Sequence, residues 1–132
     1  MLRAMARVIA GPGAALRYPF VEAKPGEVLR LGELSVELLH TPGHTPEHIS
    51  ILVRQPDQPV RVFTGDTLFV SAVGRPDLLG TDQARGLAEQ LYDSLFGTLL
   101  KLADDVEVHP GHGAGSLCGA GIGKAPYSTI GQ

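Results

Sequence analysis

His44, Asp66 and His112 are the side chains best placed to do chemistry, because each closes the same kind of local pattern. An apolar run ends, a tight turn follows, and a ligand-type side chain is presented. The three segments are Thr41-Pro42-Gly43-His44-Thr45, Thr64-Gly65-Asp66 and Pro110-Gly111-His112-Gly113. Proline and glycine hold the backbone of such turns in few conformations, so the side chain they present is aimed. Two imidazoles and one carboxylate are a donor set for a first-row divalent metal such as zinc or iron(II). For a single histidine, a polar loop facing water is the ordinary reading. Three segments of one form weigh against it. His40, His48 and His109 flank the same turns. His40 and His109 are expected to support the loops through hydrogen bonds. His48 is expected near the mouth of the site or on the surface.

Only a fold can gather residues so far apart in sequence. Arg7 to Ala10 reads as a short buried strand ended by Gly11-Pro12-Gly13, and residues 14–25 as loop. Glu27 to Leu31 and Leu34 to Leu39 read as two strands joined at Gly32-Glu33. In the second, Leu34, Val36 and Leu38 alternate with the other residues, as one buried face requires. Ile49 to Arg54 and Val60 to Thr64 are further strands, the latter running into Gly65-Asp66. A glycine loop follows through Gly74-Arg75-Pro76-Asp77 to Gly80. Thr81-Asp82 can cap a helix whose apolar stripe is Ala84, Leu87, Leu91, Leu95, Leu99 and Leu102. Gly97 weakens its last third by about 1 kcal/mol relative to alanine. Val106 to Val108 is a short strand leading into the second histidine turn. Residues 113–132 are expected to form an ordered loop or extended tail. No repeat or linker divides the chain, so it is an α/β fold in one domain.

Composition bounds the partners. The 132 residues carry a net charge of -3, so bulk electrostatics does not point to a nucleic acid. No apolar run approaches the roughly eighteen residues that a membrane span needs, and Met1 to Ala10 is too broken for a secretory leader. The single Cys118 excludes an internal disulfide and fits a reducing, cytoplasmic setting. With 5% aromatic residues, the core must be mostly aliphatic.

Taken in order, the three turns resemble the motif set of the metallo-β-lactamase superfamily. The loop Gly74-Arg75-Pro76-Asp77-Leu78-Leu79-Gly80 and the segment Gly113-Ala114-Gly115-Ser116-Leu117-Cys118-Gly119 resemble its persulfide dioxygenase branch, as in bacterial members that carry rhodanese domains. Glyoxalase II is a near cousin. The resemblance implies an αββα sandwich, a mixed sheet with flanking helices, with the metal site at one edge of two sheets. It implies iron(II), with zinc as the alternative, and His44 and Asp66 as two of three iron ligands. His112 matches the histidine that completes the second metal site of dinuclear hydrolases; in the mononuclear iron branch it lies nearby without binding the iron. Arg75 falls where the branch places a basic residue near an anionic thiol substrate such as glutathione persulfide, and the alternative is a loop salt bridge with Asp77. Cys118 could carry or position a sulfane sulfur, or be a small buried residue.

One departure from the family is plain. Its first motif, His-x-His-x-Asp-His, is not present, and no histidine precedes His40. Residues 1–132 are therefore expected to be the C-terminal part of a single domain, truncated on its N-terminal side. An uncovered sheet edge and apolar surface would favour a homodimer or a missing N-terminal segment as partner. Three functions follow as expectations. One is persulfide dioxygenation to sulfite, one is zinc-dependent thioester hydrolysis of the glyoxalase II kind, and one is a non-catalytic remnant or dimerising module.

Overall fold

The computed structural model describes residues 6–132; the first five residues of the Met1–Ala10 segment lie outside them. The chain runs β1 (Ile9–Ala10), β2 (Val21–Glu22), β3 (Val28–Leu31), β4 (Leu34–His40), β5 (Ile49–Arg54), β6 (Arg61–Gly65), β7 (Leu68–Phe69), β8 (Ala72–Val73), α1 (Thr81–Gly97), β9 (Glu107–Pro110) and β10 (Ser128–Thr129). Six strands form one mixed sheet in the order β10-β9-β6-β5-β4-β3. All neighbours are antiparallel except β6 and β9, which run parallel.

This topology decides where the motif turns emerge. The loop between β4 and β5 leaves at the His40–Ile49 pair. Strand β6 is antiparallel to β5, so its C-terminal end, Gly65, lies at that same edge. Strand β9 is parallel to β6, with Pro110 opposite Gly65, so the third turn emerges there as well. The Gly111 amide donates to the Gly65 carbonyl at 2.7 Å and ties the last two turns together.

The core is aliphatic, as the composition requires. Leu52, Val62 and Val108 share one face of the sheet, in register across three strands, and are buried with Leu99 and Val106. Leu95 and Leu102 pack against them, so α1 and the 3-10 turn at Leu99–Lys101 cover that face. The opposite face carries Ile51, Val53, Phe63 and His109, and Phe63 is exposed there. The architecture is α/β, with one mixed multi-stranded sheet and one α-helix among the described residues.

Several local expectations need correction. The first strand is only Ile9–Ala10, half-buried and paired in parallel with Val21–Glu22, so residues 14–25 are not all loop. The helix does not run to Leu102: it ends at Gly97, and the stripe continues through the separate 3-10 turn. Its N-cap is Gly80, at φ 105°, without a side-chain cap bond, so Thr81 and Asp82 fall inside the first turn. That backbone region favours glycine over threonine, which places the boundary one residue early. The hairpin β7–β8 and strand β10 were not expected. Residues 113–132 are an ordered loop ending in β10, rather than an extended tail. No helix among the described residues is long and apolar enough to cross a membrane.

Candidate metal centre

His44 is presented by a turn clamped onto α1. Gly43, at φ 145°, lies so close to the helix that a Cβ there would sit 2.4 Å from Leu91 Cβ and 2.6 Å from Leu91 Cα. Ser94 Oγ donates to the Pro42 carbonyl at 2.7 Å. The helix therefore holds the turn through both packing and a hydrogen bond. His44 itself is 4% exposed. Its Nδ1 lies 2.9 Å from the Arg75 carbonyl, an acceptor only, so Nδ1 carries the proton and donates. In the neutral ring this leaves Nε2 with a lone pair.

That lone pair faces Asp66. Nε2 lies 3.4 Å from Asp66 Oδ2, and a lone pair cannot donate to a carboxylate. Two ligand atoms, each about 2.0–2.1 Å from a tetrahedral zinc, stand about 3.4 Å apart. The pair therefore fits a cation held between nitrogen and oxygen. On the other carboxylate oxygen, His112 Nδ1 approaches Oδ1 to 2.5 Å and hydrogen-bonds it. His112 is half-exposed and its ring lies edge-on to Phe69.

The structure thus gathers all three expected donors around the Asp66 carboxylate. A fourth group joins them. One ligand atom each from His44, Asp66 and Cys118 lie within 4.8 Å of one another. Cys118 is half-buried, and its carbonyl accepts from the Arg75 amide at 2.8 Å. Arg75 therefore touches the site through its backbone, bonding His44 with its carbonyl and Cys118 with its amide. Its guanidinium points elsewhere, in a two-fold hydrogen bond with Asp77 at 2.7 and 2.8 Å. Those hydrogen bonds hold the Asp77 carboxyl below its usual range. A groove of about 480 Å³ lies between Arg75 and the loop Gly115–Ile122; Cys118 does not line it.

His48 departs from expectation. It does not sit at the mouth of the site or on the surface but turns inward beneath the Asp66 turn. Its Nε2 accepts the Asp66 amide hydrogen at 3.0 Å. Nδ1 must then carry the proton of the neutral ring, and it lies 2.9 Å from Thr67 Oγ1 and 3.0 Å from Thr41 Oγ1. Thr67 passes its own hydroxyl proton to the Thr41 carbonyl at 2.9 Å, and Thr41 Oγ1 is bonded to Ser50 Oγ at 2.8 Å. Thr41, Ser50 and Thr67 are fully buried, so this network is dry and specific. Burial lowers the His48 pKa, against the pull of the nearby Asp66 charge. The available signal was the spacing: His48 and Ser50 lie two apart at the start of a strand, on the face shared with buried Leu52.

The other flanking histidines divide. His40 Nε2 donates to the Pro46 carbonyl at 3.0 Å and braces the first loop, as expected. His109 does not brace its turn. It bonds Glu107 on its own strand at 3.1 Å and stacks on Tyr127, because alternation along β9 sends it to the face away from the core.

A mixed sheet that delivers a buried imidazole, a carboxylate and a second imidazole to one edge is the arrangement of a metal-binding α/β fold. The sequence profile of the metallo-beta-lactamase superfamily matches residues 2–112, and the chain belongs to that family, whose members generally bind metal ions. It is similar to the hydroxyacylglutathione hydrolase GloC of Haemophilus influenzae, 39% identical over 107 residues, covering 81% of this chain and 41% of that protein. The crystal structure of ETHE1 from Myxococcus xanthus superposes with a TM-score of 0.72 at 37% identity, over 97% of this chain and 48% of that one. A metallo-beta-lactamase from Staphylococcus aureus superposes with a TM-score of 0.82 at 32% identity, over 96% and 39%. The chain thus spans less than half the length of each.

Proposed function

We propose that this chain supplies the His44–Asp66 edge of a metal centre that oxidises a low-molecular-weight thiol persulfide, such as glutathione persulfide, to sulfite. The observation that carries the metal is the His44 lone pair facing the Asp66 carboxylate at 3.4 Å. What supports the persulfide is the loop from Gly74 to Gly80 with Cys118, which the Arg75 backbone ties to His44. Dioxygen and water are consumed, and thiol and sulfite are released. When bound, iron(II) supplies the electron exchange that dioxygen requires.

The chain's own residues do the rest. His44 and Asp66 would hold the ion, and His112 steadies the carboxylate. The groove between Arg75 and the loop Gly115–Ile122 has room for a thiol carrier. Arg75 could take the carrier's carboxylate by exchanging Asp77, since both members of that pair are about half-exposed and such pairs are worth little. A second reading is thioester hydrolysis with zinc, favoured by the 39% identity to a protein named hydroxyacylglutathione hydrolase.

The deciding experiment loads the purified chain with iron(II) or zinc and offers both substrates. Sulfite formation with oxygen uptake from glutathione persulfide supports the first reading. Thiol release from S-lactoylglutathione with zinc replaces it by the second. Bound metal with neither product makes the chain a non-catalytic module.

A further inference from the structure

We infer that Cys118, and not His112, is the third protein ligand of this centre. The inference rests on the metal-centre reading above and names the donor set of that site. The thiol lies close to the other two donors. Its sulfur shares a sphere with His44 and Asp66 ligand atoms, all within 4.8 Å of one another. His44 is more than nine-tenths buried, and its Nε2 makes no hydrogen bond among the described residues, so its lone pair is left for an ion beside the Asp66 carboxylate, close to Cys118.

The backbone makes the pairing rigid. Arg75 holds His44 Nδ1 with its carbonyl and the Cys118 carbonyl with its amide, so one residue sets the distance between the two ligands. The Cys118 amide donates to Ser116 Oγ at 3.1 Å. Next along, Gly119 lies against Phe69, where a Cβ would approach the ring to 2.8 Å. The loop is thus fixed on both sides of the thiol. His112, by contrast, is exposed and engaged by Asp66 Oδ1.

Imidazole nitrogen, carboxylate oxygen and thiolate sulfur would together balance the charge of a divalent ion. Binding deprotonates the thiol, and its proton leaves to solvent. A soft sulfur ligand favours zinc, iron(II) and cobalt(II) over magnesium or calcium.

Cobalt(II) reads this directly. The purified chain titrated with cobalt is expected to show visible d–d absorption together with a near-ultraviolet thiolate-to-cobalt charge-transfer band. Cys118→Ser is expected to lose that band, keep its far-ultraviolet circular dichroism, and bind cobalt at least about tenfold more weakly, the lower end of what even an outer partner of a metal ligand costs. His112→Ala is expected to keep the band. Cobalt bound without the band, or a band that survives Cys118→Ser, overturns the inference and leaves the metal centre standing. No cobalt binding by the unaltered chain overturns both.

Discussion

Replacing His48 by leucine removes the acceptor of the Asp66 amide and the donor to the Thr67 hydroxyl together. The Asp66 amide then lacks a partner away from bulk water, while Thr67 keeps its bond to the Thr41 carbonyl, a loss of about 1–3 kcal/mol. Urea denaturation of His48→Leu is expected to show a loss of that size. His48→Leu is also expected to weaken metal binding, because the Asp66 turn loses its brace, and a cobalt titration measures that. A second residue contributes to the acid limb of stability. The hydrogen bond from His109, and next that from Arg61, hold the Glu107 carboxyl below its usual range, with desolvation opposing them. A carboxylate lowered in the folded state adds stability above the ordinary glutamate range. That stability is lost as the pH falls through the ordinary value and then the folded one. Urea midpoints across that acid range should fall less steeply for Glu107→Gln than for the unaltered chain.

At the level of elements, the contact between the His44 turn and α1 is made by backbone. A Cβ on Gly43 would collide with the Cα and Cβ of Leu91, which no rotamer of leucine can move. Gly43→Ala is therefore expected to cost about 1–3 kcal/mol, the usual range for overpacking. Adding Leu91→Ala should not restore stability, because the colliding atoms remain; a rise in urea midpoint in the double variant would contradict the contact. The strands that carry this turn were readable in advance. Leu34, Val36 and Leu38 alternate, Gly32 marks the hairpin, and the three motif turns sit at strand ends. The hairpin β7–β8 was not readable, since two-residue strands are too short to show a period. Cys118 was readable as a residue near the site. Its place beside His44 depends on the Arg75 backbone bridge, which no side-chain pattern records. His48 was misplaced because its partners, Thr41 and Thr67, come from two different loops.

For the molecule as a whole, metal binding and stability are linked. An ion that binds the folded chain and not the unfolded one stabilises it by about 2.7 kcal/mol at a free concentration one hundred times its dissociation constant. Zinc or iron(II) at that level is expected to raise the urea midpoint, and a chelator to reverse the rise. Asp66→Asn is expected to abolish the response, because its carboxylate faces both imidazoles. An unchanged midpoint with added metal would speak against the centre.

The parallel pairing of β6 with β9 has a consequence for how the chain comes to its final form. Gly65 meets Pro110 only after the intervening residues, α1 among them, have been made and folded back across the sheet. On a ribosome, His44, His48 and Asp66 emerge before Pro110, so the Asp66 turn meets His48 first and its β9 neighbour later. Loop closure of that length is slow compared with the β4–β5 hairpin. His44 and Asp66 are therefore set by the earlier strand pairings, and His112 reaches the carboxylate last of the three.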